Sequence, residues 1–231
     1  MEDWSNEKMR EKGEGRSTMP GGTGPVLDAQ TAALVRVATA VARGKVPELK
    51  ARFAAARDAR VPGLWIEELL LQSMLVVGYP LALVAFGVWR GVGGPAPVEG
   101  DAEDLAHADW ESWAARGAAV CREVYGRAYH KLLVNLHALH PALEDLVLVD
   151  AYGKVIGRPG LDLKRRELCT VATTAVLGTG EQLHSHLRGA LNTGATGGEV
   201  EAVLTLIEGD LDAEQRRLVD QQWLDVKRRK L

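Results

Sequence analysis

The sequence predicts an all-α protein built from two tandem helical repeats. Three observations lead there. Apolar residues recur at helical spacing through the strongly patterned segments, and no stretch alternates apolar and polar residues as a half-buried strand would. The chain also matches itself when slid by 134 residues: residues 27–72 align with 161–206 without a gap, and 12 of the 46 pairs are identical. Among these pairs are Leu27/Leu161, Asp28/Asp162, Leu34/Leu168, Val37/Val171, Ala38/Ala172, Gly44/Gly178, Leu49/Leu183 and Ala56/Ala190, which fall on helix faces and helix ends.

The second copy spells out its helices. Asp162 can cap a helix whose apolar stripe is Leu168, Val171, Ala172, Ala175 and Val176, and Gly178 ends it. A second helix carries Leu183, Leu187, Ala190 and Leu191 on one face and stops at Asn192-Thr193-Gly194. Thr196 and Glu199 form a capping box for a third, with Val200, Val203, Leu204 and Ile207 inside and Gly209 closing it.

The first copy runs into an apolar stretch, Leu69 to Trp89, long enough to cross a bilayer. Gln72, Ser73 and the break expected at Gly78-Tyr79-Pro80 turn the reading toward two helices buried in a core or a subunit interface, with no membrane partner. Gly91 to Asp101 is rich in Gly and Pro and reads as a linker. Beyond it Trp113, Gly117, Val120, Cys121, Val124 and Ala128 recur at helical spacing, and His140-Pro141 ends the helical region that follows. The expected division is a disordered arm over 1–24, a degenerate first repeat over 25–90, a linker over 91–112 and the second repeat over 113–231.

Composition narrows the function. With 28 Lys and Arg against 31 Asp and Glu, no basic field exists to attract nucleic acid. Cys121 and Cys169 stand far apart, which fits neither a disulfide framework nor a zinc site and suits a reducing cytoplasm. The first 24 residues mix charged, Ser and Gly residues without an apolar centre, so they do not read as a signal peptide.

The stretch from Gly153 to Leu204 resembles the carboxymuconolactone decarboxylase superfamily. The likeness rests on Gly157-Arg158-Pro159-Gly160-Leu161-Asp162, Arg166-Glu167-Leu168, Gln182-Leu183-His184-Ser185-His186 and Ala190-Leu191-Asn192-Thr193-Gly194-Ala195-Thr196. Val124-Tyr125-Gly126 is similar to the helix that opens the family's fold, and Gly78-Tyr79-Pro80 to a segment after its third helix, so the likeness spans about 113–208 with an echo over 27–86. The resemblance implies an alkylhydroperoxidase D-like helical bundle. It also implies assembly as a homo-oligomer, for a tandem chain a trimer with pseudo-hexameric symmetry. In the peroxidase branch a Glu, a Cys-x-x-Cys and a His form the site. Here those positions fall on Glu167, Thr179, Gln182 and His186, so the thiol pair is missing. Peroxide reduction needs a thiolate and a resolving thiol.

What remains is a candidate acid–base pair. His186 borders the apolar face of its helix and Glu167 flanks the stripe of the helix before it, so the carboxylate can fix the imidazole tautomer for proton transfer. The plainer alternatives are a core histidine satisfied by its neighbours and a solvated first-turn acid favoured by the helix dipole. Gln182 is a candidate donor to a substrate oxygen, and Arg166 or Arg188 a candidate holder of a substrate carboxylate. His184 and His186 point about 160° apart on a helix and cannot share a metal. His130, His137 and His140 lack a carboxylate or Cys at matching spacing, so no metal and no cofactor is expected. The first repeat has Ala33 and Arg52 where the second has Glu167 and His186, which leaves it a structural role.

The favoured expectation is a cofactor-free decarboxylase or proton-transfer enzyme acting on a small carboxylated lactone or cyclic acid. The rivals are a non-catalytic helical assembly module and a thiol peroxidase of altered arrangement using Cys169.

Overall fold

The computed structural model describes residues 26–95 and 109–229, so the arm expected over 1–24 and the centre of the expected linker lie outside the described residues. The two copies fold alike because their end signals are alike. Helix α1 (Ala29–Arg43) is capped by the Asp28 carboxylate, which accepts from the Thr31 amide at 2.8 Å, and it ends at Gly44 with φ +65°. Its counterpart, the helix Leu163–Leu177, is capped by Asp162 from the Arg165 amide at 3.0 Å and ends at Gly178 with φ +68°. Glycine adopts this left-handed closure without a Cβ penalty.

These two helices form the centre of the molecule. Leu34, Val37, Ala38 and Val41 of α1 and Leu168, Val171, Ala172 and Ala175 of the Leu163–Leu177 helix are all buried in one core cluster. Arg165 ties the repeats together at the edge of this contact, donating to Thr31 Oγ1 at 2.8 Å and lying 3.3 Å from the Asp28 carboxylate.

Around this pair the first repeat adds α2 (Val46–Asp58) and α3 (Gly63–Gly91). The expected break in α3 is present: Gly78 has φ +74° and ψ 168°, a conformation that interrupts the helix just before Pro80. With the length and hydropathy of a bilayer-spanning segment, α3 nevertheless buries Ile66, Leu69 and Leu70 before the break and Ala82, Ala85 and Trp89 after it. Leu75, Tyr79 and Leu83 stay exposed.

Four helical segments lead into the Leu163–Leu177 helix: α4 (Trp110–Tyr125), α5 (Tyr129–Leu139), a short α6 (Ala142–Asp145) and a π-helix (Leu146–Ile156). Asp109 caps α4 by accepting from the Ser112 amide at 2.7 Å, so residues 110–112, expected in the linker, are already helical, as is Gly91 at its other end. The π-helix lies directly on α4. A Cβ at Gly117 would sit 1.8 Å from the Leu148 carbonyl oxygen, and one at Gly153 would sit 2.4 Å from that of Trp113. Only glycine permits backbones this close.

His140 leaves the helix in an extended conformation and accepts from the Ala142 amide at 3.1 Å, away from the stripe holding His130 and His137. Among the described residues no three His, Cys, Asp or Glu gather to hold a metal.

The second repeat then runs through α7 (Leu163–Leu177), α8 (Gly180–Asn192), α9 (Gly197–Ile207) and α10 (Ala213–Arg228). The capping box at Thr196 and Glu199 is formed. Gly209 does not close α9, which ends at Ile207; it lies in a 3₁₀ turn over Glu208–Asp210. The repeat register continues past residue 72, where sequence identity lapses. Trp89 donates its indole N–H to Glu67 at 2.5 Å, and 134 residues on Trp223 donates to Glu201 at 3.0 Å. The two halves of α3 thus correspond to α9 and α10.

Candidate functional site

Glu167 and His186 meet. α7 and α8 pack antiparallel through the turn at Gly178, which brings Glu167 Oε2 to 2.9 Å from His186 Nδ1. Glu167 is not a solvated first-turn acid: it lies in the second turn of α7 at 2% exposure, and the imidazole is its hydrogen-bonded partner. A buried carboxylate needs such a partner, since an unpaired one would lose its hydration without compensation. Space for it comes from Gly189 on α8, where a Cβ would lie 2.3 Å from Glu167 Oε2. In the first repeat the corresponding residues are Ala33, Arg52 and Ala55, so carboxylate, imidazole and glycine are replaced together.

The pair opens on a cavity of about 180 Å³. Its walls come from three parts of the chain: Gln72, Leu75 and Val76 from α3 of the first repeat; Tyr125 from α4 with Val147, Ala151, Tyr152 and Ile156 from the π-helix; and Glu167, Thr170, Gln182 and His186 from the second repeat. The π-helical residues are spaced i, i+4, i+5, i+9, the stripe of a helix bonded i→i+5, as in the Gly157 amide to Tyr152 carbonyl bond of 2.8 Å that closes it. A wider groove of about 380 Å³ between α9 and α10 is more open to solvent and presents Glu201, Glu208, Asp220 and Arg216 but no imidazole, so the chemistry points to the smaller cavity.

Each remaining sequence candidate has a definite place. Gln182 lines the mouth of the cavity and is exposed there, and Thr179, at the head of α8, donates to the Thr174 carbonyl at 3.3 Å. Arg166 does not line the cavity. Fully buried, it donates to Glu68 Oε2 at 2.7 Å and to the carbonyls of Leu161 and Arg158 at 3.0 and 3.1 Å, so no part of it is left for a ligand. Arg188 lies beside a separate small depression with His184 and Asn192. Neither arginine is placed to hold a substrate carboxylate in this cavity.

Four residues of the site escape the sequence reading: Gln72, Tyr125, Tyr152 and Gly189. Gln72 donates to the Arg166 carbonyl at 3.0 Å and to Thr170 Oγ1 at 3.2 Å, which fixes the polar floor between the repeats. Burial pushes the Tyr125 phenol up to about 12 and the Tyr152 phenol well above its usual range, with the nearby Glu167 charge adding to both, so both stay protonated at neutral pH.

The cysteines are elsewhere. Cys169 is buried in the main core and Cys121 in the smaller cluster under α4, both as free thiols, and neither lines the cavity. Burial pushes the Cys121 thiol up to about 12 and raises that of Cys169 as well, with the Glu167 charge adding to the first. Protonated, enclosed thiols are poor nucleophiles. Ellman's reagent at pH 8 is therefore expected to react with neither in the native protein and with both in urea, and Cys169→Ser is expected to leave peroxide consumption unchanged. A fast-reacting native thiol would revive the peroxidase reading.

The fold and site together define an all-helical tandem-repeat protein in which one repeat carries a carboxylate–imidazole pair and the other has lost it. The Carboxymuconolactone decarboxylase family matches this chain twice, over residues 17–91 and 147–219, once in each repeat. A 4-carboxymuconolactone decarboxylase of Acinetobacter baylyi is 32% identical over 90 residues, covering 38% of this chain and 67% of that protein. The chain belongs to the carboxymuconolactone decarboxylase family.

Proposed function

We propose that this chain is a cofactor-free decarboxylase, or a closely related proton-transfer enzyme, acting on a small carboxylated lactone or cyclic acid. The observation that supports it is the Glu167–His186 pair on the wall of the cavity. Nδ1 is committed to the carboxylate, and Nε2, without a protein hydrogen bond among the described residues, is left for a substrate. Breaking the bond to the leaving carboxylate sends its electron pair toward the conjugated ring carbonyl as CO2 departs. The resulting enolate is then protonated on carbon by the Nε2–H of the His186 imidazolium, while Glu167 accepts from Nδ1–H throughout; the neutral imidazole left behind takes a proton back from solvent before the next turnover. Gln182 donates to the substrate from the mouth.

The relative's substrate offers the direct test. Incubated with 4-carboxymuconolactone in D2O, the protein is expected to release CO2 and to place one solvent deuteron on the product carbon, with both signals lost in His186→Ala. Turnover that persists in that variant, or no CO2 from this or other small lactone acids, would sink the reading.

The exposed Tyr79 and Leu83, beyond the break in α3, support a second part of the proposal, assembly of this chain into a homotrimer. Light scattering is expected to return a multiple of the 25.0 kDa chain mass. A monomer would refute it.

A further inference from the structure

We infer that Tyr125, backed by Tyr152, is the donor that binds the developing oxyanion of the substrate, in the cavity it shares with His186. The inference rests on the proposed proton-transfer reading and adds the group which that chemistry still needs.

An enolate formed in an enclosed cavity requires a donor on its oxygen as well as an acid near its carbon. The cavity wall has no Arg or Lys among the described residues, and Gln182 is at the exposed mouth. On the same cavity wall two phenols stand edge to face, with ring centroids 6.2 Å apart and an interplanar angle of 72°. A hydrogen bond links the two hydroxyls. A pair of hydroxyls that shares one hydrogen bond keeps one proton for a ligand, and Tyr125, less buried than Tyr152 and on the cavity wall, is placed to offer it to a ligand oxygen. A phenol that accepts one hydrogen bond is polarised into a better donor of the next.

Tyr152 is held rigidly. It is buried on the π-helix, whose close approach to α4 depends on Gly117 and Gly153. Tyr125 touches the substrate in this arrangement, whereas Tyr152 acts through it as a positioning residue.

A small phenol reproduces the transferred charge without any turnover. The bound state is a phenolate–imidazolium pair held by Glu167, reached by proton transfer to Nε2 from the neutral imidazole's bound 4-nitrophenol or by phenolate joining the imidazolium, with the phenolate oxygen accepting from Tyr125. The probe reports its own ionisation by its yellow absorbance. Wild-type protein titrated into 4-nitrophenol at pH 6 is expected to raise the phenolate band above that of the free probe, and the uncharged isostere 4-nitrotoluene is expected to bind without preference among the variants.

Tyr125→Phe should weaken phenolate binding about 10- to 100-fold, the weight of one hydrogen bond to a charged oxygen. Tyr152→Phe should weaken it a few-fold and shift the bound band, with 4-nitrotoluene unaffected in both. Equal phenolate binding by wild type and Tyr125→Phe, or no rise in the phenolate band with wild type at millimolar probe, would overturn the inference. So would a parallel loss of 4-nitrotoluene, since that marks a change of shape. If Tyr125→Phe is silent while His186→Ala abolishes the rise, the oxyanion assignment fails and the proton-transfer reading stands.

Discussion

Arg166→Met is expected to destabilise the protein by about 3–5 kcal/mol, the cost of removing one member of a buried ion pair. Its guanidinium and the Glu68 carboxylate are fully enclosed, at 0% and 2% side-chain exposure, and 2.7 Å apart. Met fills a similar volume but leaves Glu68 with Arg158 alone, at 3.0 Å and 13% exposure. Replacing both partners, as in Arg166→Met with Glu68→Leu, should cost clearly less than the two single changes together, because the fully enclosed carboxylate leaves with its guanidinium while Arg158 keeps access to water. The pseudo-equivalent positions in this chain carry Ala32 and Ala202, with no charge at either. Urea unfolding measures the cycle, and a midpoint unchanged in Arg166→Met would show that the pair does not hold the repeats. For a chain of this size the single change corresponds to a drop of about 6 to 20 °C in Tm.

That network also explains why sequence reading placed Arg166 in the binding site. An arginine beside a candidate catalytic glutamate, in a motif shared with a family, looks like a ligand-binding cation. The residue that consumes it, Glu68, is 98 positions away and belongs to the other repeat. By contrast, Asp28, Asp162, Gly44, Gly178 and the Thr196–Glu199 box were legible because each signal acts within four residues of itself. The break at Gly78-Tyr79-Pro80 was legible for the same reason.

Glu167 and His186 could be placed on two facing helix margins, since the repeats fixed which faces pack. The rest of the cavity wall could not. Tyr152 stands on a π-helix, whose period matches neither the helix nor the strand pattern, and Gln72 reaches the site only through the packing of α3 on α7. Gly189 had a faint signal: it is Ala55 in the copy that has also lost the glutamate.

His186→Ala is expected to remove nearly all turnover, a loss of about 10²- to 10⁴-fold, because a positioned acid or base contributes that much to a proton-transfer rate. The geometry behind the expectation is the commitment of Nδ1 to Glu167 at 2.9 Å, which fixes the tautomer and turns the other nitrogen to the cavity. Glu167→Gln should cost less. It keeps the shape, but its amide can present either an oxygen or an NH2 to Nδ1, so the tautomer is no longer fixed and the charge that stabilises the imidazolium is gone. Gly189→Ala tests the same contact from the other side: a methyl group 2.3 Å from Oε2 must displace the carboxylate, so turnover should fall without any change to a catalytic group. The three variants separate the chemistry from the packing. If His186 were only a core residue, His186→Ala would lower stability by about 1–3 kcal/mol as Glu167 lost its partner, with activity per folded molecule unchanged. Turnover normalised to the folded fraction decides between these outcomes. A loss in the order His186→Ala, then Glu167→Gln and Gly189→Ala, is the one that a carboxylate-oriented imidazole requires.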